Sequence, residues 1–231
     1  MTPIPIVALD VAGQESALEI VDQLGESCRF YKIGSELFTG CGPSVVREVR
    51  ARGAQVFLDL KYHDIPNTVA GAARRAAALG VRLLTVHASG GLEMLRAAVD
   101  AAAGAERCGV LAVTVLTSLD TATLAANWGR VGPVEMADEV LRLAEVARQA
   151  HAAGVVCSGR EAAVVKARFG SALSVLIPGI RMPGAASHDQ ARVCTPTDAV
   201  EAGADYVVVG RAVTSASNRR EAMVALLSEL A

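Results

Sequence analysis

Eight short apolar runs, each followed by a stretch of helical period, constrain the fold more than any other feature of this sequence. The runs cover residues 4–10, 29–34, 54–61, 83–88, 108–116, 154–158, 173–179 and 206–210. They are near-continuous and rich in β-branched residues, the pattern of parallel strands buried on both faces. Parallel neighbours need a right-handed crossover. Candidate crossover helices lie at 16–24, 43–52, 68–79, 92–103, 135–152, 161–169 and 198–202, and a last one at 221–230 closes the chain. Eight such units predict an α/β fold, a closed (β/α)8 TIM barrel formed as a single domain over residues 1–231. An open doubly wound sheet is the alternative that pattern leaves. The longest irregular stretch, 181–196, reads as a candidate lid.

Composition narrows the function classes. Hydrophobic residues make up 52% of the 231, enough for a large core, whereas aromatics at 3% supply no stacking platform for a nucleic acid. The formal net charge is −2, with no block of like charge to attract a polyanion or an anionic membrane surface. The apolar runs stop at about eight residues, far short of the roughly 20 that a membrane span needs. The five cysteines, Cys28, Cys41, Cys108, Cys157 and Cys194, are odd in number and lack metal-knuckle spacing. A reduced chain is expected. The segment Met1-Thr2-Pro3-Ile4-Pro5 lacks the basic and then apolar regions of a signal peptide, so a cytoplasmic location is expected.

Charged residues recur at one end of these runs. The first ends at Asp10, the second carries Lys32, and the third ends Asp59-Leu60-Lys61 and continues to Asp64. Charges on buried strands are costly unless paired, and in a barrel the C-terminal strand ends are where chemistry sits. Asp59 and Lys61, two apart, share a strand face. With Lys32 and Asp64 they form a candidate array of alternating sign, in which each ammonium stays protonated beside a carboxylate. A protonated lysine aimed at a developing carbanion both stabilises it and supplies its proton. At the seventh and eighth strand ends, Pro178-Gly179-Ile180-Arg181 and Gly210-Arg211, followed by Thr214 and Ser215, fit a phosphate site. His63 and His87 admit a metal-ligand reading beside the blander one of hydrogen-bonded structural histidines. Cys157, without a base nearby in sequence, reads as core.

The segment Asp59-Leu60-Lys61-Tyr62-His63-Asp64-Ile65-Pro66-Asn67-Thr68 resembles the signature of the orotidine 5′-phosphate decarboxylase family. The resemblance runs along nearly the whole chain. It takes in Ala8-Leu9-Asp10, Lys32-Ile33-Gly34, Val113 to Ser118, Pro178 to Arg181, Asp189-Gln190 and Val209-Gly210-Arg211, in the order of the shorter bacterial form. It implies decarboxylation of orotidine 5′-monophosphate to uridine 5′-monophosphate with no cofactor and no metal. By the same resemblance Lys61 is the proton donor to C6 of the pyrimidine, Asp59 faces the substrate carboxylate, and Lys32 and Asp64 complete the array. Asp10 and Lys32 contact ribose hydroxyls, and Thr117 lies near the pyrimidine. Arg181, Gln190, Gly210 and Arg211 hold the phosphate. Asp64 and Thr68 reach across a homodimer into the partner's site. Tyr62, Ser35 and Ala212 depart from the commonest residues of the family at their positions without removing a group the chemistry needs.

Two rival readings remain. Magnesium-dependent sugar-phosphate enzymes share Asp-x-Lys-x-x-Asp, although Ile65-Pro66-Asn67-Thr68 and Thr117 argue against them. A catalytically silent phosphate-binding barrel is the other, and retention of all four charged residues argues against that.

Overall fold

In a computed structural model, which describes residues 2–104, 108–129, 134–182 and 194–231, eight parallel strands close into a barrel in the order of the chain. The first half runs β1 (Ile4–Ala8), α1 (Gln14–Leu24), β2 (Phe30–Gly34), α2 (Ser35–Cys41), α3 (Pro43–Ala51), β3 (Gln55–Tyr62), α4 (Pro66–Ala78), β4 (Leu83–His87) and α5 (Gly91–Ala102). The second half runs β5 (Gly109–Val113), α6 (Thr121–Asn127), α7 (Met136–Gln149), β6 (Gly154–Val156), α8 (Gly159–Phe169), β7 (Ser174–Ile180), α9 (Pro196–Glu201), β8 (Tyr206–Val209), α10 (Arg211–Thr214) and α11 (Arg219–Glu229). The β1–β8 pairing, with Ile4 opposite Tyr206 and Val7 opposite Val209, closes the ring and excludes the open sheet. Among the described residues no helix is long and apolar enough to cross a membrane.

Strand alternation divides the core in two. Val7, Tyr31, Ile33, Val56, Leu58, Leu84 and Val86 point outward into the layer shared with the helices. The residues between them, among them Ile6, Ala8, Phe30, Phe57, Leu83 and Leu111, fill the interior as a separate cluster. Following that inward parity upward gives Ile6–Ala8–Asp10, Phe30–Lys32–Gly34, Phe57–Asp59–Lys61, Leu83–Thr85–His87 and Tyr206–Val208–Gly210. The lower interior is thus apolar and the upper interior polar, which places the charged residues together at the C-terminal mouth.

Several elements are shorter than their runs. The run at 108–116 leaves the sheet at Val113, because its neighbour β6 is three residues long and ends at Val156 opposite it. Beyond that point Thr114 bonds the Val156 carbonyl by both its amide (3.2 Å) and its hydroxyl (2.8 Å). Three helices lie outside the periodic stretches. Gly42, at φ +63°, separates α2 from α3. The Asp120 carboxylate caps α6 by accepting from the Thr123 amide. The third, α10, is only four residues long.

Candidate active site at the C-terminal mouth

Two irregularities of the ladder shape the mouth. Along β3, Leu58 pairs with Leu84 but Tyr62 with Val86, so four residues of β3 advance against two of β4. Along β7, Ile177 pairs with Val207 but Ile180 with Val209. Such bulges re-aim side chains at barrel rims. The first contains Lys61, whose φ of +51° lies in the left-handed region, and the second contains Gly179 at +74°. For glycine this conformation is free, whereas for a lysine it costs about 1–2 kcal/mol. The convergence of Asp59 and Lys61 thus depends on the bulge as well as on regular alternation.

Lys61 Nζ donates to Asp59 Oδ1 at 2.9 Å, and Lys32 Nζ lies 3.8 Å from Asp59 Oδ2 and 2.9 Å from Asp10 Oδ1. Asp59 is only 13% exposed, so its charge is tolerable because two ammoniums and the Thr85 hydroxyl, at 2.9 Å, point at it. At the end of β2, a Cβ on Gly34 would stand 3.0 Å from Lys32 Nζ and 3.5 Å from Asp10 Oδ1, so a side chain there would push the Lys32 ammonium by a few tenths of an ångström. These groups line a cavity of about 830 Å³ that extends to Thr117, Gly179, Arg181, Gly210 and Arg211. Arg181 is buried and donates to the Ile180 carbonyl at 3.1 Å, while Arg211 is exposed at the start of α10. Five cationic side chains, Lys32, Lys61, Arg181, Arg211 and Arg219, line the cavity against the carboxylates Asp10, Glu19 and Asp59. That excess suits a ligand carrying more than one negative charge.

Of the residues singled out from sequence, Asp10, Lys32, Asp59, Lys61, Thr117, Arg181, Gly210 and Arg211 therefore share one cavity. Asp64 and Thr68 do not line it. Asp64 is exposed and accepts from the Ile65 amide at 2.6 Å, and Thr68 is exposed in the first turn of α4. Gln190 and most of the candidate lid lie outside the described residues. The ends of that stretch are joined, Arg181 N donating to Cys194 O at 3.0 Å. His63 and His87 sit beside the array with ring centroids 5.4 Å apart. Among the described residues no group of three or more His, Cys, Asp or Glu is arranged to hold a metal ion. Sequence reasoning passed over Thr85, although a hydroxyl of inward parity inside an apolar run marks it. It also passed over Ser16, Glu19 and Arg219, which helices α1 and α11 bring to the cavity wall without any motif.

A family model described as "Orotidine 5′-phosphate decarboxylase / HUMPS family" matches residues 3–226. The chain is 51% identical to an orotidine 5′-phosphate decarboxylase of Halorhodospira halophila over 98% of this chain and 95% of the relative. It is 47% identical to that of Saccharophagus degradans over 98% and 94%. The crystal structure of orotidine 5′-phosphate decarboxylase from Lactobacillus acidophilus superposes with a TM-score of 0.87 at 38% identity, over 100% of this chain and 99% of that one.

Proposed function

The chain belongs to the orotidine 5′-phosphate decarboxylase / HUMPS family, and from that premise we propose that it converts orotidine 5′-monophosphate to uridine 5′-monophosphate and carbon dioxide in de novo pyrimidine biosynthesis, without metal or organic cofactor. The observation that carries this reading is the row Lys32–Asp59–Lys61 on one wall of a cavity whose other end holds Arg181 and Arg211. The whole chain acts as one catalytic unit in the cytoplasm.

The C6–carboxylate bond breaks with its electron pair left on C6, in an orbital in the plane of the ring. Delocalisation does not readily relieve that charge, so a fixed cation must. The Lys61 ammonium, 2.9 Å from Asp59, is such a cation. It interacts most strongly as the charge develops, which lowers the barrier rather than tightening ground-state binding. It then gives its proton to C6, and water restores the proton to the amine. Asp59 faces the departing carboxylate and fixes Lys61. Lys32 balances Asp59 and, with Asp10, meets the ribose hydroxyls, while Thr117 borders the pyrimidine. Arg181, Gln190, Gly210 and Arg211 bind the phosphate, Arg211 and the backbone after Gly210 presenting donors at the start of α10. Asp64 and Thr68 serve the partner's site in a homodimer. Their exposure beside Ile65, an apolar side chain 67% exposed on the same rim, supports that assignment.

The test is the ultraviolet absorbance change of orotidine 5′-monophosphate in excess chelator. Wild type is expected to turn it over, and Lys61→Ala to lose at least about 10³-fold in kcat. No conversion by wild type would sink the proposal, and magnesium-dependent turnover of a sugar phosphate in its place would move the chain to the other activity the family name covers.

A further inference from the structure

One buried hydroxyl touches both partners of the central ion pair. The Lys61 backbone N–H donates to Thr85 Oγ1 at 2.9 Å, and Thr85 Oγ1 lies 2.9 Å from Asp59 Oδ1, the same oxygen that accepts from Lys61 Nζ. The direction of each bond is fixed by chemistry. An amide can only donate and a carboxylate only accept, so the hydroxyl accepts from Lys61 and donates to Asp59. Thr85 is 1% exposed, and no water is needed to complete either bond. Its amide and carbonyl belong to a regular strand, with Thr85 opposite Leu111 of β5. The hydroxyl is therefore anchored to the rigid side of the β3–β4 seam, and what it holds is the irregular side. Lys61 and His151 are the only non-glycine residues with positive φ among those described. At Lys61 the regular β3–β4 register is lost, and the backbone N–H that β4 would otherwise engage through a carbonyl goes to the Thr85 side chain instead.

We infer that Thr85 is a positioning residue for the decarboxylation proposed above: its hydroxyl locks the β3 bulge, keeps Lys61 in the left-handed conformation and thereby sets the Lys61 ammonium against Asp59 at the reacting carbon. It touches no substrate and moves no proton to C6. Its contribution is geometric, and a displacement of the ammonium of about 1 Å is enough to cost roughly 10²-fold in rate.

The inference rests on the decarboxylase reading, so the experiment has one arm that needs no turnover. Thr85→Val keeps the shape and loses both bonds, whereas Thr85→Ser keeps the hydroxyl and loses a methyl. With orotidine 5′-monophosphate, Thr85→Val is expected to lose about 10²-fold in kcat with KM within about threefold of wild type, and Thr85→Ser to stay within about threefold in both. In the substrate-free arm, the crystal structure of Thr85→Val is expected to show Lys61 out of positive φ, or its Nζ beyond hydrogen-bond distance of Asp59. An unchanged kcat in Thr85→Val overturns the inference. So does a loss carried by KM alone, an equal loss in Thr85→Ser, or an unmoved Lys61 in the Thr85→Val crystal. If wild type itself fails to decarboxylate, the functional reading falls, and the crystal structure still decides whether Thr85 holds Lys61.

Discussion

His87 lies two residues beyond Thr85 on the same face of β4, its ring tilted 32° to that of His63. Desolvation lowers its pKa from the ordinary histidine value. His63 and Lys61 act in the same direction, against a smaller opposite effect of Asp59. The folded state therefore prefers the neutral ring. The unfolded chain takes up this proton near pH 6.5 and the folded chain only at lower pH, so below about 6.5 the unfolded state holds more protons and stability falls with pH. This contribution is fully present above pH 6.5. The melting temperature is expected to fall as pH drops from 6.5 towards 5, and His87→Gln, which removes the titrating group, to fall less steeply over that window. Identical slopes would assign the acid sensitivity to other groups. The sequence favoured a structural histidine over a metal ligand at His87 but did not pair it with His63: the second ring comes from the loop after β3, and the pairing of β3 with β4 brings the two together.

At the scale of elements, β6 shows how little room the barrel leaves. Its first residue, Gly154, pairs with Ser174 of β7, and a Cβ there would stand 2.2 Å from the Ser174 backbone oxygen. That oxygen belongs to the strand and cannot swing aside as a flexible side chain would. Gly154→Ala is expected to force β6 from β7 at a cost of about 3 kcal/mol, lowering the melting temperature by roughly 6–12 °C in calorimetry. A variant that melts with wild type would show that the seam yields. The order and type of the long elements were legible because burial on both faces writes continuous β-branched runs, and each amphipathic helix writes its period. Of the short helices, α9 was legible, but α2, α6 and α10 were not. Period needs about two turns to declare itself, and α10 is four residues long, held between Gly210 and a bond from Arg219 Nε to the Thr214 carbonyl. The β3 bulge was equally invisible. Alternation assumes a regular strand, and the conformation of Lys61 is set by a hydroxyl 24 residues away.

For the whole molecule, the candidate site was legible in so far as single strand ends carry it: Asp10, Lys32, Asp59, Lys61, Arg181 and Arg211 are all charges near or just past the C-terminal ends of apolar runs, and closure of the barrel brings them into one cavity. What one chain does not complete is the contribution of Asp64, three residues past Lys61 yet exposed and bonded to the Ile65 amide. If the proposed homodimer completes the array, each site takes Lys61 from one chain and Asp64 from the other. Complementation then separates the two geometries. Lys61→Ala and Asp64→Asn homodimers are each expected to be nearly inactive. In a mixed dimer, one site carries both lesions and the other carries neither, because the intact Lys61 meets the intact Asp64. Random exchange of subunits in an equal mixture makes half of the dimers mixed, so about one quarter of all sites should regain wild-type kcat. If Asp64 instead served its own chain, every site in the mixture would carry one lesion and no activity would return. Recovery towards a quarter would show that the fold supplies the scaffold and the Lys32–Asp59–Lys61 row, and that the partner supplies the last carboxylate.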